Sequence, residues 1–314
     1  MEMTIDRTAI AQLDAAGLAG LVPTLPEWPW GAEPVVMHRI TSGLSNVNWR
    51  MDVAGQTFFL KVPGIGTEAY ISRDAAHSAA LVAAATGVGP GVVYYDAGTG
   101  IEVSEFLQGY ESSTQHSLSQ PDTAVELMSL YRRLHSGELL PLTKTIFDMI
   151  DEHLEQVAAA GRLLRPWQQD VLDRWASIQA AYIASGLDLV PGHNDMLPSN
   201  FMVSPDGPMM LIDYDYAANN DRYYEVGGIV TLYMVEPEVR EAMFAVYFGE
   251  VTARDRARAS IGGLATAVKW GLWALLNSQA RDFDFDFEKY GNTLLSQARH
   301  ILDGPDIERW VSEL

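Results

Sequence analysis

The sequence predicts an α+β fold of two lobes: a small β-rich N-terminal lobe carrying one helix, then a larger, mainly helical C-terminal lobe. Three observations lead there. Short β-branched and aromatic runs crowd the first third, at 35–40, 47–53, 57–62, 92–97 and 101–106. Helical spacing dominates after Gln108-Gly109. A single hairpin signal, Phe201-Met202-Val203 and then Ser204-Pro205-Asp206-Gly207-Pro208, interrupts the helical part and returns through 209–212.

Each element has a local cause. Residues 6–21 show helical spacing, and Pro23, Pro26 and Pro29 prevent the helix from continuing. The three runs from 35 to 62 are separated by Ser-Gly and Ala-Gly turns, as hairpin-connected strands require. The Ala-rich stretch 74–86 forms helix readily and is closed by Gly87 and Gly89-Pro90. Residues 92–97 and 101–106 form a hairpin around Gly98-Thr99-Gly100, and Gln108-Gly109 is the hinge out of this lobe. Helices are then expected over 122–136, 147–160, 167–185, 224–233, 237–248, 254–277 and 287–302.

The bulk properties narrow the function classes. At 314 residues with 48% apolar content, the chain can bury a sizeable core in two domains. No apolar stretch is expected to approach the roughly 20 residues that cross a bilayer, so membrane insertion is not expected. The N-terminus lacks the basic start and apolar run of a secretory signal, and the absence of cysteine removes disulfide and thiolate chemistry. Both are compatible with a cytoplasmic protein. A formal charge of −20 argues against nucleic acid as a partner. It permits a cationic substrate. Oligomeric state is not encoded in any of these features.

The chemistry concentrates at Gly192-His193-Asn194-Asp195-Met196-Leu197-Pro198-Ser199-Asn200 and Leu211-Ile212-Asp213-Tyr214-Asp215. Asp195 can accept a proton from a hydroxyl, while Asn200 and Asp213 can offer oxygen ligands to Mg2+. A Pro-Asp-Gly turn brings the last two together at one end of the hairpin, because Pro presets φ and Gly accepts positive φ. His193 reads as a structural histidine shaping the loop, since Asp195 can serve as base, and His135 as a capping or packing residue. No pair of histidines has zinc-ligand spacing. Ser42-Gly43-Leu44-Ser45-Asn46 is a small-residue turn whose backbone N–H groups can approach phosphate. Lys61 ends a strand among apolar residues, either as a snorkelling edge residue or facing a nucleotide. Trp270 and Trp273 share a helix face beside Phe283, Phe285, Phe287 and Tyr290, with Asp282, Asp284 and Asp286 interleaved. From the residues alone the two tryptophans read as core.

These motifs resemble the choline and ethanolamine kinase family within the aminoglycoside-phosphotransferase-like superfamily, over roughly residues 35–302. Gly192 to Asp195 and Asn200 are similar to its catalytic loop. Asp213-Tyr214-Asp215-Tyr216-Ala217, with Asn220 and Arg222, resembles its metal-binding segment, and Leu134-His135-Ser136 also matches. The resemblance implies a protein-kinase-like fold with a nucleotide-binding lobe at 1–107 and a catalytic, acceptor-binding lobe at 108–314. It implies Asp195 as catalytic base and Asn200 and Asp213 on Mg2+. ATP would meet Ser42, Gly43, Ser45, Asn46 and Lys61, and the hinge at Glu105 to Leu107. Asp215, Trp270, Trp273, Phe285 and Tyr290 would bind the acceptor, the aromatic rings as an ammonium cage.

The chain departs from the family pattern at three places. Ala76 stands where a helix glutamate would pair with Lys61, leaving Glu68 or Asp74 as possible substitutes. Asp215 is one methylene shorter than the usual glutamate, and Leu232 replaces an acid found in some choline kinases. The expected activity is ATP- and Mg2+-dependent phosphorylation of a small cationic alcohol, choline or ethanolamine. The alternatives are an aminoglycoside or sugar O-phosphotransferase of the same fold, or a silent nucleotide-binding pseudokinase.

Overall fold

A computed structural model of the chain describes residues 7–41, 45–67, 71–280 and 285–314. Packing within the chain separates two compact units, Met1–Ser112 with Ser199–Ala217, and Ser113–Pro198 with Ala218–Leu314. The first begins with α1 (Arg7–Ala11) and α2 (Ala15–Leu21). The continuous helix expected over 6–21 is interrupted because the Asp14 carboxylate accepts from Gly17 N–H at 2.8 Å, capping a new helix start. Next come β1 (Val35–Ile40), β2 (Asn46–Val53), β3 (Gln56–Pro63), α3 (Arg73–Ala85), β4 (Val92–Asp96) and β5 (Ile101–Glu105). The strands make one antiparallel sheet in the order β1-β2-β3-β5-β4. Alternate residues of β2 and β3, among them Trp49, Met51, Leu60 and Val62, are buried in a core shared with Leu18, Val22 and Trp28. That is the period-2 pattern of a sheet covered on one face.

A short strand, β6 (Glu111–Ser112), precedes the helices α4 (Gln115–Leu118), α5 (Pro121–Leu134), α6 (Ile146–Ala159) and α7 (Pro166–Ala184), then β7 (Leu189–Gly192). The expected hairpin is β8 (Phe201–Ser204) and β9 (Gly207–Leu211), with Phe201 opposite Leu211. The expected division after residue 107 assigns this hairpin to the helical lobe. It packs instead with the first unit. β6 pairs with β8 (Glu111↔Val203, Ser112↔Met202), and Leu211 N–H donates to the Val88 carbonyl at 2.7 Å.

The second unit is completed by β10 (Ala218–Asp221), which pairs with β7, and by α8 (Arg222–Tyr233), α9 (Pro237–Phe248), α10 (Ala253–Ala280), α11 (Phe287–Leu302) and α12 (Ile307–Ser312). Helix α10 contains a stretch, Ala253–Ser278, long enough to cross a bilayer, whose most apolar window of 18 residues has a mean hydropathy of 1.3. The sequence expectation of no such stretch is therefore corrected. In the fold 83% of its most apolar window is buried, with α8, α11 and α6 packed on it, so it is the central core helix of this unit. Helices α8 and α10 cross closely because glycines face each other. A Cβ on Gly227 would lie 1.8 Å from the Ala259 carbonyl oxygen.

Candidate active site

The first unit encloses a cavity of about 430 Å³, within the range typical of small-molecule sites. Ile40, Phe59, Met202 and Ile212 give it apolar walls, and Lys61, Glu102, Asn200 and Asp213 give it polar ones. Strand pairing orders the lining. Phe58 opposes Glu105 at the hinge end of the β3–β5 ladder, and Lys61 opposes Glu102 at the other. Three residues of strand separate these ends by about 10 Å. The hinge residues 105–109 all line the cavity. The Glu105 carboxylate accepts from Gly91 N–H at 3.0 Å.

Lys61 answers the question raised by Ala76. Its Nζ lies 3.5 Å from Asp215 Oδ1 and 4.0 Å from Glu102 Oε1. Burial works to lower its pKa, but Asp215, Glu102 and Asp213 outweigh it and hold the ammonium above the ordinary lysine range. Glu102 is in turn bound by His77 of α3, with 2.9 Å between Nδ1 and Oε2. The helix thus supports Lys61 through a histidine and a strand glutamate. Asp74 is not the substitute, since it accepts from the Tyr95 hydroxyl at 3.2 Å. Glu68 lies outside the described residues.

Asp215 was expected with the acceptor site, but its carboxylate sits in the first unit on the lysine. It is 3.3 Å from Arg73 Nη1 and accepts from Asn46 Nδ2 at 2.8 Å. Asn46 Oδ1 accepts from Arg73 at 3.0 Å, and Arg73 also donates to Thr67. The expected role of Asn46 was on phosphate; here its side chain closes this ionic cluster while lining the cavity. Ser45 contributes its carbonyl to Gly64 N–H at 3.1 Å, and a Cβ on Gly64 would come within 2.2 Å of that oxygen. The loop after β3 can lie this close only with glycine there. Ser42 and Gly43 lie outside the described residues.

Asn200 and Asp213 come together as the hairpin requires. Ile212 N–H donates to the Asn200 carbonyl at 3.0 Å. Asp213 has φ of 65°, an uncommon conformation for a residue with a Cβ and one often found at functional sites.

Asp195 belongs to the second unit, on a loop between β7 and the hairpin. The loop is held by a residue the sequence reading missed. Glu225 of α8, 1% exposed, accepts from Asn194 N–H at 2.7 Å and His193 N–H at 3.2 Å, and meets His135 Nε2 at 2.8 Å. His135 Nδ1 lies 2.6 Å from the Tyr247 hydroxyl, so this histidine is indeed a packing and anchoring residue. Asn194 adopts φ of 65°, with its side chain bound to the Ala218 carbonyl and to Asn220 Nδ2 at 3.1 and 2.9 Å. His193, fully buried, accepts from Asp195 N–H at 3.3 Å, matching its expected structural role. Tyr224, Tyr233 and Tyr290 have raised pKa values, chiefly through burial and further through the charge of Asp195.

The aromatic residues also lie in this unit. Trp270 and Trp273 meet edge to face at 5.4 Å, Trp273 meets Phe287 at 5.7 Å, and Phe285 meets Tyr290 at 5.6 Å. Phe285 is 48% exposed and Trp270 only 7%. Lys269, absent from the sequence reading, places its Nζ 3.0 Å from the centre of the Trp270 ring. Phe283 lies outside the described residues.

These features have relatives. A model of the phosphotransferase enzyme family matches residues 36–260, and the chain belongs to that family. Protein LicA of Haemophilus influenzae is 21% identical over 271 residues, covering 83% of this chain and 78% of LicA. A choline/ethanolamine kinase family protein from Mesorhizobium loti has 25% identity and a TM-score of 0.79, with 94% and 97% of the two chains covered. The structure of LicA in complex with AMP has 20% identity and a TM-score of 0.67, with 86% and 92% covered. The fold is thus kinase-like, and the chain is a phosphotransferase similar to choline/ethanolamine kinases.

Three missed residues left a trace in the sequence. Glu225 and Lys269 are lone charges in the apolar runs Glu225-Val226-Gly227-Gly228-Ile229 and Ala267-Val268-Lys269-Trp270. Glu102 alternates with Ile101 and Val103. A charge with that much apolar company is buried with a partner or not at all.

Proposed function

We propose that the chain transfers the γ-phosphoryl group of ATP to the hydroxyl of a small amino alcohol of the choline or ethanolamine kind. One observation carries the nucleotide half: a lysine held between two carboxylates in a cavity that is also lined by Asn200, Asp213 and the hinge residues. Lys61 would neutralise phosphate oxygens, while the apolar walls near the hinge suit a purine. LicA binds AMP on a similar fold.

The donor set fits magnesium. Among the described residues no cluster of three His, Cys, Asp or Glu could cage a metal. One carboxylate and one carboxamide oxygen, Asp213 and Asn200, leave the remaining positions to water and phosphate, which is how magnesium is ordinarily held. When bound, the ion would neutralise charge on the transferring group. Asp195 would accept the proton of the attacking hydroxyl, its loop fixed by Glu225. The partly open rings of Trp273, Tyr290 and Phe285 would meet the ammonium group.

The test is ADP release with Mg-ATP and a panel of alcohols, against an Asp195→Ala control. Stimulation by amino alcohols that disappears in the control supports the reading. A neutral sugar or an aminoglycoside as the sole stimulating acceptor moves the assignment to that substrate. No acceptor raising turnover above the control refutes the reading.

A further inference from the structure

An ammonium cage offers aromatic faces to a cation from outside. Here one of those faces already has an occupant. Lys269 is 2% exposed, its Nζ is 3.0 Å from the Trp270 ring centre, and it feels the charge of Asp195. With Trp273 against it at 5.4 Å and 7% of its surface open, Trp270 has little left to offer a ligand. We infer that Lys269 is a specificity-determining residue: its amino group covers the aromatic face a quaternary ammonium would need, turning the acceptor site toward alcohols bearing a primary amine.

The two kinds of cation lose different amounts. A trimethylammonium group has no N–H and is recognised mainly by aromatic faces, so a missing face removes a principal contact. A primary ammonium keeps three donors for hydroxyl, carbonyl and carboxylate oxygens, and depends less on any one ring. Whatever charge Lys269 carries acts on both; loss of the Trp270 face falls mostly on the quaternary group. The lysine stays on the ring because it is covalently placed there, within the field of the Asp195 charge.

This inference rests on the amino-alcohol reading above, and the experiment separates the two. Values of kcat/KM for choline and ethanolamine are measured for the wild type, Lys269→Met and Lys269→Arg. The expected result is a preference for ethanolamine in the wild type and in Lys269→Arg, with the choline-to-ethanolamine ratio rising about tenfold in Lys269→Met. An unmoved ratio, or one moving toward ethanolamine, overturns the inference. Tetramethylammonium binding, followed by tryptophan fluorescence, needs no turnover. It should tighten about tenfold in Lys269→Met, and an unchanged Kd overturns the inference. If neither alcohol is turned over by the wild type above the Asp195→Ala control, the amino-alcohol reading falls, and the titration still decides the role of Lys269.

Discussion

Replacing Asp215 by Asn tests the ionic cluster around Lys61 most directly. The carboxylate is buried with three partners: Lys61 at 3.5 Å, Arg73 at 3.3 Å and Asn46 at 2.8 Å. At an effective dielectric near 20, each cation at this range interacts with it by about 5 kcal/mol before desolvation is subtracted. Most of that gross attraction is offset by burying the charges. Removing one partner of such a group is still expected to cost about 3–5 kcal/mol, because the remaining cations stay buried. Lys61 would retain Glu102 at 4.0 Å, and Arg73 would retain Asn46 and Thr67.

If about 3 kcal/mol of this loss appears in how Lys61 meets the nucleotide, kcat/KM for ATP falls about a hundredfold. Glu102→Gln removes the longer of the two Lys61 ion pairs, and the charge that faces His77, and should cost about tenfold. The assay is steady-state kinetics with ATP and alcohol varied separately, together with urea unfolding of each variant. A raised KM for the alcohol with unchanged ATP parameters in Asp215→Asn would place this carboxylate on the acceptor side and refute the reasoning. So would a larger ATP defect in Glu102→Gln than in Asp215→Asn.

The second unit supplies the other expected outcomes. Glu225→Gln weakens the charged acceptor for two loop N–H groups and His135. It should lower unfolding stability by about 3 kcal/mol and reduce kcat more than it raises KM for ATP, measured by urea titration and kinetics. Gly227→Ala brings a Cβ to 1.8 Å from the Ala259 carbonyl oxygen; overpacking should cost about 3 kcal/mol or more in the same titration. Lys269 has its pKa lowered to about 7 from an ordinary 10.5, by burial against the opposing charge of Asp195. Between those values the unfolded chain binds the extra proton, so this group's penalty is full below about pH 7 and is relieved as pH rises. Lys269→Met should therefore raise Tm most at neutral and lower pH, with the gap to wild type narrowing toward about pH 9. A constant gap across that window would contradict the low pKa.

What could be read in advance depended on whether the cause was local. The Asn200–Asp213 pairing was legible because a Pro-Asp-Gly turn fixes a hairpin's ends by itself. Helices α9 and α11 fall at their expected bounds because Pro237 starts one and Asp286 caps the other. Strands β7 and β10 were missed for the converse reason. Ala218-Asn219-Asn220-Asp221 is buried through polar contacts, with Asn219 bound to the Leu140 backbone and Asp221 to Arg258 and Tyr182, so neither an alternating nor an apolar pattern appears. A partner for Lys61 was sought at Glu68 or Asp74, whereas strand register supplies one at Glu102. Register is a property of two strands, and no single run of residues contains it. The same holds for Lys269. Helical spacing places Trp270 and Trp273 on one face, yet a side chain one position away can fold over its neighbour's ring once the surrounding helices deny it water. An aromatic cage is therefore incompletely described by its rings. In the proposed acceptor site, what the protein itself has already laid on them would decide which cation can enter.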